Sequence, residues 1–127
     1  MNLLDKNLQQ FIKEYKGATT DLLLKKPMFD GLTNKELAQQ IEGRRTATKK
    51  LPFLLVKENV LFPPTLNLEQ TSSEATAQYK AQNLQGERFL DLTCGFGIDA
   101  FFLSKKFKEV TLVEQNEELL SKVEHNW

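Results

Sequence analysis

The segment RFLDLTCGFGIDAFFLSKKFKEVTLVEQNEELL, residues 88–120, constrains the fold more than any other part of this chain. An apolar run ends in a turn that contains Gly95 and Gly97, and a helical pattern, a second apolar run and another helical pattern follow. Short apolar runs joined through a helix are typical of parallel strands in a covered sheet, because a parallel connection needs a long crossover. The segment therefore predicts a βαβα unit.

The pattern also predicts where these elements begin and end. We expect strands over residues 88–93 and 110–114, a turn over 94–97, and helices over 98–106 and 116–126. Residues 1–51 predict a helical N-terminal domain, in which Thr33 and Glu36 have the spacing of a capping box and Gly43 weakens the helix interior. The sequence thus predicts an α/β chain with helices first and the βαβα unit last.

The region between these two parts is harder to interpret. Residues 53–62 predict two short strands around a turn at Glu58 and Asn59, so residues 52–69 are expected to form a β-hairpin and linker. A helix follows, with Thr71 and Glu74 at capping-box spacing. We therefore divide the chain into a helical domain (1–51), a hairpin and linker (52–69) and the start of the α/β domain (70–127).

The chemistry of the glycine turn depends on its acidic neighbours. Glu114 follows Gly95 by 19 residues, at the end of the second predicted strand, where dinucleotide-binding folds place an acid that binds ribose hydroxyls. Asp91, however, lies ahead of the turn, and its carboxylate would repel a pyrophosphate. The pattern favours a cationic or amine-bearing ligand, and a fragment of a dinucleotide-dependent dehydrogenase is the less favoured alternative.

The motif DLTCGFG resembles motif I of class I S-adenosylmethionine (SAM)-dependent methyltransferases, most closely that of the RNA-modifying members. The resemblance implies an incomplete Rossmann-like core and SAM as the cofactor. It places Asp91 and the turn at the amino-acid part of SAM, Glu114 at the ribose and Gln115 near the adenine. Thr93 stands where the commoner motif has its first glycine. The turn residues implied in binding are Thr93, Cys94, Gly95 and Gly97.

A second resemblance covers residues 49–127. FPPTLNLEQTSSEATAQYKA followed by LDLTCGFGIDAFFLS is similar to bacterial methyltransferases that carry a THUMP-like domain at the C-terminus. It implies that the core continues after this chain towards a D-P-x-R-like motif near the acceptor. We therefore expect an N-terminal portion of an RNA-modifying enzyme that is inactive alone, with its catalytic residues unknown. The missing part, or self-association, would cover the open sheet.

Several single residues remain open to two interpretations. Gln70, ahead of the first strand, is the best candidate there for a cofactor contact, because a glutamine is not needed for capping. Cys94 is expected to be a packed residue rather than a nucleophile, and His125 a surface or packing residue rather than a catalytic one. Asp99 caps the helix or meets the SAM amine. The cations between Gly43 and Pro52 form either an RNA-phosphate contact or a solvated helix end: Arg44, Arg45, Lys49 and Lys50.

Composition limits the remaining choices. Lys+Arg and Asp+Glu both number 17, so nucleic-acid binding would need a local patch. The single cysteine excludes a cysteine-based zinc cluster, and we expect no metal site. No apolar run is long enough to span a membrane, and a cytoplasmic location is expected. The alternative function is a non-catalytic RNA- or protein-binding helical module with a scaffold βαβα unit.

Overall fold

The computed structural model describes residues 3–127. Within that range the chain forms seven α-helices, one 3-10 helix and two β-strands. In chain order these are α1 (Lys6–Glu14), α2 (Thr19–Leu23), α3 (Asn34–Lys50), the 3-10 helix (Pro52–Val56), α4 (Thr65–Gln70), α5 (Glu74–Ala81), β1 (Gly86–Asp91), α6 (Ile98–Leu103), β2 (Phe107–Leu112) and α7 (Glu117–Asn126). None of the helices in the described range is long and apolar enough to cross a membrane.

The three N-terminal helices surround their own apolar core. Asp5 caps α1 by accepting hydrogen bonds from the amides of Asn7 and Leu8. The capping box predicted at the start of α3 is confirmed, since Thr33 and Glu36 each accept from the other's backbone amide. The core buried between these helices consists of Leu8, Ile12, Leu22, Leu32, Leu37 and Ile41.

Helix α3 continues into a second core, which it shares with the C-terminal part of the chain. Ile41 belongs to the N-terminal core, whereas Ala47, further along the helix, packs with Leu54 and Phe96. Between them, Gly43 lets Phe62 lie directly against the helix, because a Cβ on Gly43 would come 2.2 Å from the Phe62 Cβ. The border between the two cores therefore lies within α3. The domain boundary predicted at residue 51 stays a prediction.

The β-hairpin predicted over residues 53–62 is wrong. Pro52 stands at the first position of a 3-10 helix, and the amide of Phe53 donates to the Glu74 carboxylate at 3.0 Å. A short apolar run does not distinguish a strand from a buried helical turn, and here proline at the helix start decides for the helix. Leu54, Val60 and Phe62 are buried, so this region is part of the core rather than a linker.

Helix α4, over Thr65–Gln70, has no counterpart in the sequence prediction, and the helix after it is capped differently than expected. Ser73, not Thr71, is the N-cap of α5, and its hydroxyl accepts from the Thr76 amide at 3.2 Å. Glu74 is therefore the first residue of the helix rather than the third, and its carboxylate accepts from the Phe53 amide instead. The predicted Thr71–Glu74 box is therefore wrong, although the helix itself is present.

Strands β1 and β2 pair in parallel, as the βαβ pattern predicted, and Asp91 is in register with Leu112. Both strands end two residues earlier than predicted, β1 begins two residues earlier and β2 three, and α6 ends at Leu103 rather than at residue 106. The apolar side chains that follow the strand pattern are not covered on every side: Leu90 is 57% exposed, Leu92 67% and Val113 44%. The described chain thus forms a mixed α/β fold consistent with a partial Rossmann-like unit.

The last two residues of the chain pack against this unit and against the loop before α4. Asn126 is buried, and its side-chain amide forms a pair of hydrogen bonds of 2.9 Å with the backbone N–H and C=O of Leu61. The Trp127 indole donates to the Phe96 carbonyl at 3.0 Å and packs against the Phe101 ring. These contacts fix α7 to the loop before α4 and to the glycine turn.

Candidate functional site

The glycine turn after β1 is held by backbone hydrogen bonds on one side and by a carboxylate on the other. The Cys94 amide donates to the Val113 carbonyl at 3.0 Å, and the Gly97 amide donates to the Cys94 carbonyl at 2.9 Å. Asp91 Oδ1 accepts from the Thr93 amide at 3.1 Å. Gly95 and Gly97 have φ of +57° and +82°, a region that favours glycine. The sequence places glycine where the backbone requires it.

Glu114 reaches the turn from the end of β2. Its Oε1 accepts a hydrogen bond from the Gly95 amide at 3.1 Å, and its Oε2 accepts from the Asn116 amide at 2.9 Å. A carboxylate offers about four acceptor positions, so roughly two remain for a ligand. Glu114 is therefore both a support of the turn and a candidate acceptor for hydroxyl groups beside it.

A cleft of about 200 Å³ opens in front of the turn. One wall is the turn with the first residues of α6, and the other is the end of α4, the link to α5 and α5 itself. The residues that line it are Asn67, Gln70, Thr71, Ser72, Lys80, Asp91, Thr93, Cys94, Gly95, Phe96, Ile98 and Asp99. The cleft thus brings together five of the predicted cofactor residues, namely Gln70, Asp91, Thr93, Cys94 and Gly95.

The other predicted residues lie outside the lining of this cleft. Glu114 stands behind Gly95, and Gln115 is exposed. The two glycines of the turn also differ in whether they face the cleft. A Cβ on Gly95 would meet nothing within 4 Å, so its Cα faces open space, whereas a Cβ on Gly97 would lie 2.9 Å from the Trp127 Nε1. Gly95 faces the cleft, and Gly97 serves the packing behind it.

An ion pair crosses the mouth of the cleft. Lys80 Nζ donates to Asp99 Oδ2 at 3.2 Å and to Ser72 Oγ at 2.8 Å. The N-cap of α6 is Gly97, which offers no side-chain acceptor, and the Asp99 carboxylate pairs across to α5 instead of capping the helix. Asp99 Oδ1 is buried without a hydrogen-bond partner in the described chain. A buried carboxylate oxygen without a donor is costly, and a bound cationic group would satisfy it.

Cys94 is buried beneath the turn, and its thiol bonds weakly to the Gly95 carbonyl at 3.6 Å. Burial, with the negative charges of Asp91 and Glu114, raises the pKa of this thiol. A raised pKa keeps the thiol protonated and therefore poorly nucleophilic. This agrees with its interpretation as a packed residue.

Two of the four cations between residues 43 and 52 are engaged within the fold. Arg45 donates to the carbonyls of Tyr15 and Gly17 at 3.2 and 2.6 Å, and Lys50 donates to the Leu68 carbonyl at 2.8 Å. These two side chains connect elements of the fold, so replacing them would disturb folding as well as any nucleic-acid contact. His125 Nε2 bonds to the Asn59 carbonyl at 2.8 Å at an exposed position, outside the cleft.

Among the polar residues that line the cleft, sequence reasoning missed Asn67. Asn67 reaches it from α4, and no capping or turn signal marked that short helix. Ser72, just before α5, and Lys80, in its last turn, were visible as polar residues, but only the fold places them opposite Asp99. No group of three or more His, Cys, Asp or Glu side chains that could hold a metal is present among residues 3–127.

The fold has a counterpart among solved structures. A crystal structure described as that of a "putative methyltransferase" from Porphyromonas gingivalis W83 matches this chain with a TM-score of 0.77 and 29% sequence identity. The match covers 94% of this chain and 30% of that one, so this chain spans about a third of its length. No family model and no curated protein matches the chain. The similarity supports a methyltransferase relationship.

Proposed function

We propose that this chain is the N-terminal portion of a SAM-dependent methyltransferase that acts on RNA, and that the cleft in front of Gly95 binds SAM. One observation carries the proposal: the glycine turn, the Gln70 segment and the Lys80–Asp99 pair line a single cleft. They come from three separate stretches of the chain. The similarity to a larger protein described as a methyltransferase supports the same assignment.

The amino-acid part of SAM fits the charges of this cleft. It carries an ammonium and a carboxylate on one carbon, and the cleft presents the opposite charges side by side. Asp99 Oδ1, buried and unpartnered, is suited to accept from the ammonium, and the carboxylate of Asp91 lines the same space. Lys80 and Ser72 are suited to hold the carboxylate, in exchange for part of their present contact.

The remaining parts of the ligand follow the turn. The open space at Gly95 lets a ligand approach the backbone, and Glu114 behind it would accept from the ribose hydroxyls. Gln115 near the adenine remains a prediction. The charges of the lining disfavour a dinucleotide. The carboxylates of Asp91 and Asp99 would repel its pyrophosphate, and Lys80 is the one cation among the described residues of the lining that would attract it.

In this proposal the chain binds and orients the cofactor but does not complete a reaction. SAM, when bound, supplies an electrophilic methyl group. Transfer also requires a pocket that orients the acceptor. We assign that pocket, and the catalytic residues, to the part of the enzyme that follows this segment. The same part, or a second copy, would cover the exposed side chains of Leu90, Leu92 and Val113.

The proposal is tested by calorimetric binding of S-adenosylhomocysteine to the whole gene product and to this chain. Glu114→Gln keeps the shape of the side chain but removes its charge, and we expect it to weaken binding about tenfold or more, as loss of a charged hydrogen-bond acceptor does. Glu109→Gln is the matched control, because Glu109 is an exposed acid on β2 that pairs with Arg88. The cofactor assignment fails if the whole protein does not bind the ligand, or if both variants bind it equally.

A further inference from the structure

Two clefts adjoin on the surface of the N-terminal helices, away from the glycine turn. The first, of about 380 Å³, lies between α1, α3 and residues 54–62, and the second, of about 340 Å³, lies between the end of α1 and α3. They share Ile12, Lys13 and Arg44, so they form one continuous depression. Basic side chains line much of this depression.

The charge along this depression is almost entirely positive. Among its described lining residues Glu58 is the acid, against six cations: Lys6, Lys13, Lys16, Arg44, Arg45 and Lys57. Two of these cations serve the fold, because Arg45 binds carbonyls of Tyr15 and Gly17, and Lys57 binds the Asn126 carbonyl. The other four define what we call the basic groove: Lys6, Lys13, Lys16 and Arg44. A net charge of zero makes this local excess distinctive.

The groove is linear as well as positive. Lys6 and Lys13 are seven residues apart on α1, which places them on one face about 10 Å apart along the axis. Lys16 follows just after the helix, and Arg44 faces this line from α3. The three lysines are exposed, while Leu8, on the opposite face of α1, is buried in the core. A row of exposed cations on a rigid helix suits a ligand that repeats a negative charge at regular intervals.

We propose that the basic groove binds the phosphate backbone of a nucleic-acid strand. A strand presents one phosphate per nucleotide, so several cations along a line are engaged at once, and their counterions are released together. The proposal deepens the proposed function, since it assigns to α1 the surface that would hold the RNA acceptor. The sequence offered residues 44–50 as one alternative for an RNA-phosphate contact. The groove differs from that segment because Arg45 and Lys50 are engaged within the fold.

The test is fluorescence anisotropy of a labelled single-stranded RNA oligonucleotide, titrated with the full chain at several salt concentrations. The triple variant Lys6→Gln, Lys13→Gln, Lys16→Gln should lower the slope of log K against log salt by about 2, since each single-strand contact contributes about 0.7. The control Lys25→Gln, Lys26→Gln, Lys35→Gln makes the same charge change at exposed lysines outside both clefts, and it should leave the slope unchanged.

We expect both triple variants to remain folded, because glutamine has nearly the helix propensity of lysine. Circular dichroism of each variant checks this. The proposal is overturned if the two variants weaken RNA binding alike, if the wild-type chain does not bind RNA at low salt, or if poly-glutamate competes as well as RNA. The assay contains no cofactor, and Glu114→Gln should bind RNA like the wild type. The experiment therefore distinguishes a failure of the proposed RNA binding by the basic groove from a failure of the cofactor assignment.

Discussion

The backbone amide of Gly95 donates to the carboxylate of Glu114 at 3.1 Å. Glu114, just after β2, therefore holds the turn that follows β1. The same carboxylate accepts from the amide of Asn116, which in turn caps α7. One acid thus sets the position of the turn relative to the following helix. Its place in the sequence suggested a ligand contact, and the fold adds a supporting role.

The two glycines of the turn should respond differently to alanine. Both have positive φ, which costs an alanine about 1 kcal/mol or somewhat more. At Gly95 the new methyl group enters the open cleft, so we expect a modest loss of stability and a strong loss of S-adenosylhomocysteine binding. At Gly97 it meets Trp127, so we expect a further loss of roughly 1–3 kcal/mol from overpacking. Urea unfolding and calorimetry of both variants check this, and equal effects at the two positions would contradict it.

Gly43→Ala should destabilise the chain although alanine is the better helix former. Helix propensity favours alanine by about 1 kcal/mol. The new methyl group, however, would overlap Phe62, because its carbon would lie 2.2 Å from the Phe62 Cβ. We expect the clash to prevail, with a net loss of roughly 1–3 kcal/mol in urea unfolding. Thr48→Ala, at an exposed position of the same helix, is the control and should change stability little.

Asn126→Ala should separate the end of α7 from the loop before α4. The variant leaves the N–H and C=O of Leu61 without their partners at a half-buried position, and we expect a total loss of about 1–3 kcal/mol. Thermal unfolding should show this loss. Glu124→Ala, an exposed neighbour on the same helix, should unfold like the wild type. A wild-type transition in Asn126→Ala would mean that the two hydrogen bonds contribute nothing to stability.

The thiol of Cys94 should make stability depend on alkaline pH. Its pKa is raised in the folded chain, chiefly by burial, so the folded state keeps this proton where the unfolded state loses it. The resulting stabilisation is complete below the unfolded pKa and is lost as pH rises through the folded pKa. Between about pH 8 and 10, the urea midpoint of the wild type should therefore fall more than that of Cys94→Ala. Parallel decline in both proteins would refute the assignment.

The βαβα unit was predictable because each of its elements has a recognisable pattern in the local sequence. The apolar runs, the glycines and the distance from Gly95 to Glu114 all lie within one short segment, and parallel pairing follows from the helix between the strands. Strand ends were less predictable, since pairing partners decide where a strand stops. The hairpin predicted over residues 53–62 failed for a different reason: Pro52 starts a 3-10 helix there, and the Phe53 amide finds its acceptor in Glu74, far along the chain, rather than in a paired strand.

The turn side of the site was predictable from the sequence, whereas the opposite wall was predictable only in part, at Gln70. The turn carries a recognisable pattern, whereas Asn67, Ser72 and Lys80 reach the cleft only because α4 and α5 pack across it. Asp99 was visible as an acid near a helix start, but its partner, Lys80, is 19 residues earlier in the chain. Such long-range pairs leave no periodic trace in a sequence.

The position of Trp127 gives the chain an optical property. It is the single tryptophan of the sequence, and its indole bonds to the Phe96 carbonyl, on the turn itself, with the Lys57 ammonium 5.0 Å from the ring. Its emission therefore comes from one fluorophore whose surroundings change when the turn moves. Tryptophan fluorescence can follow occupancy of the Gly95 cleft, or opening of the C-terminal helix, without any added label.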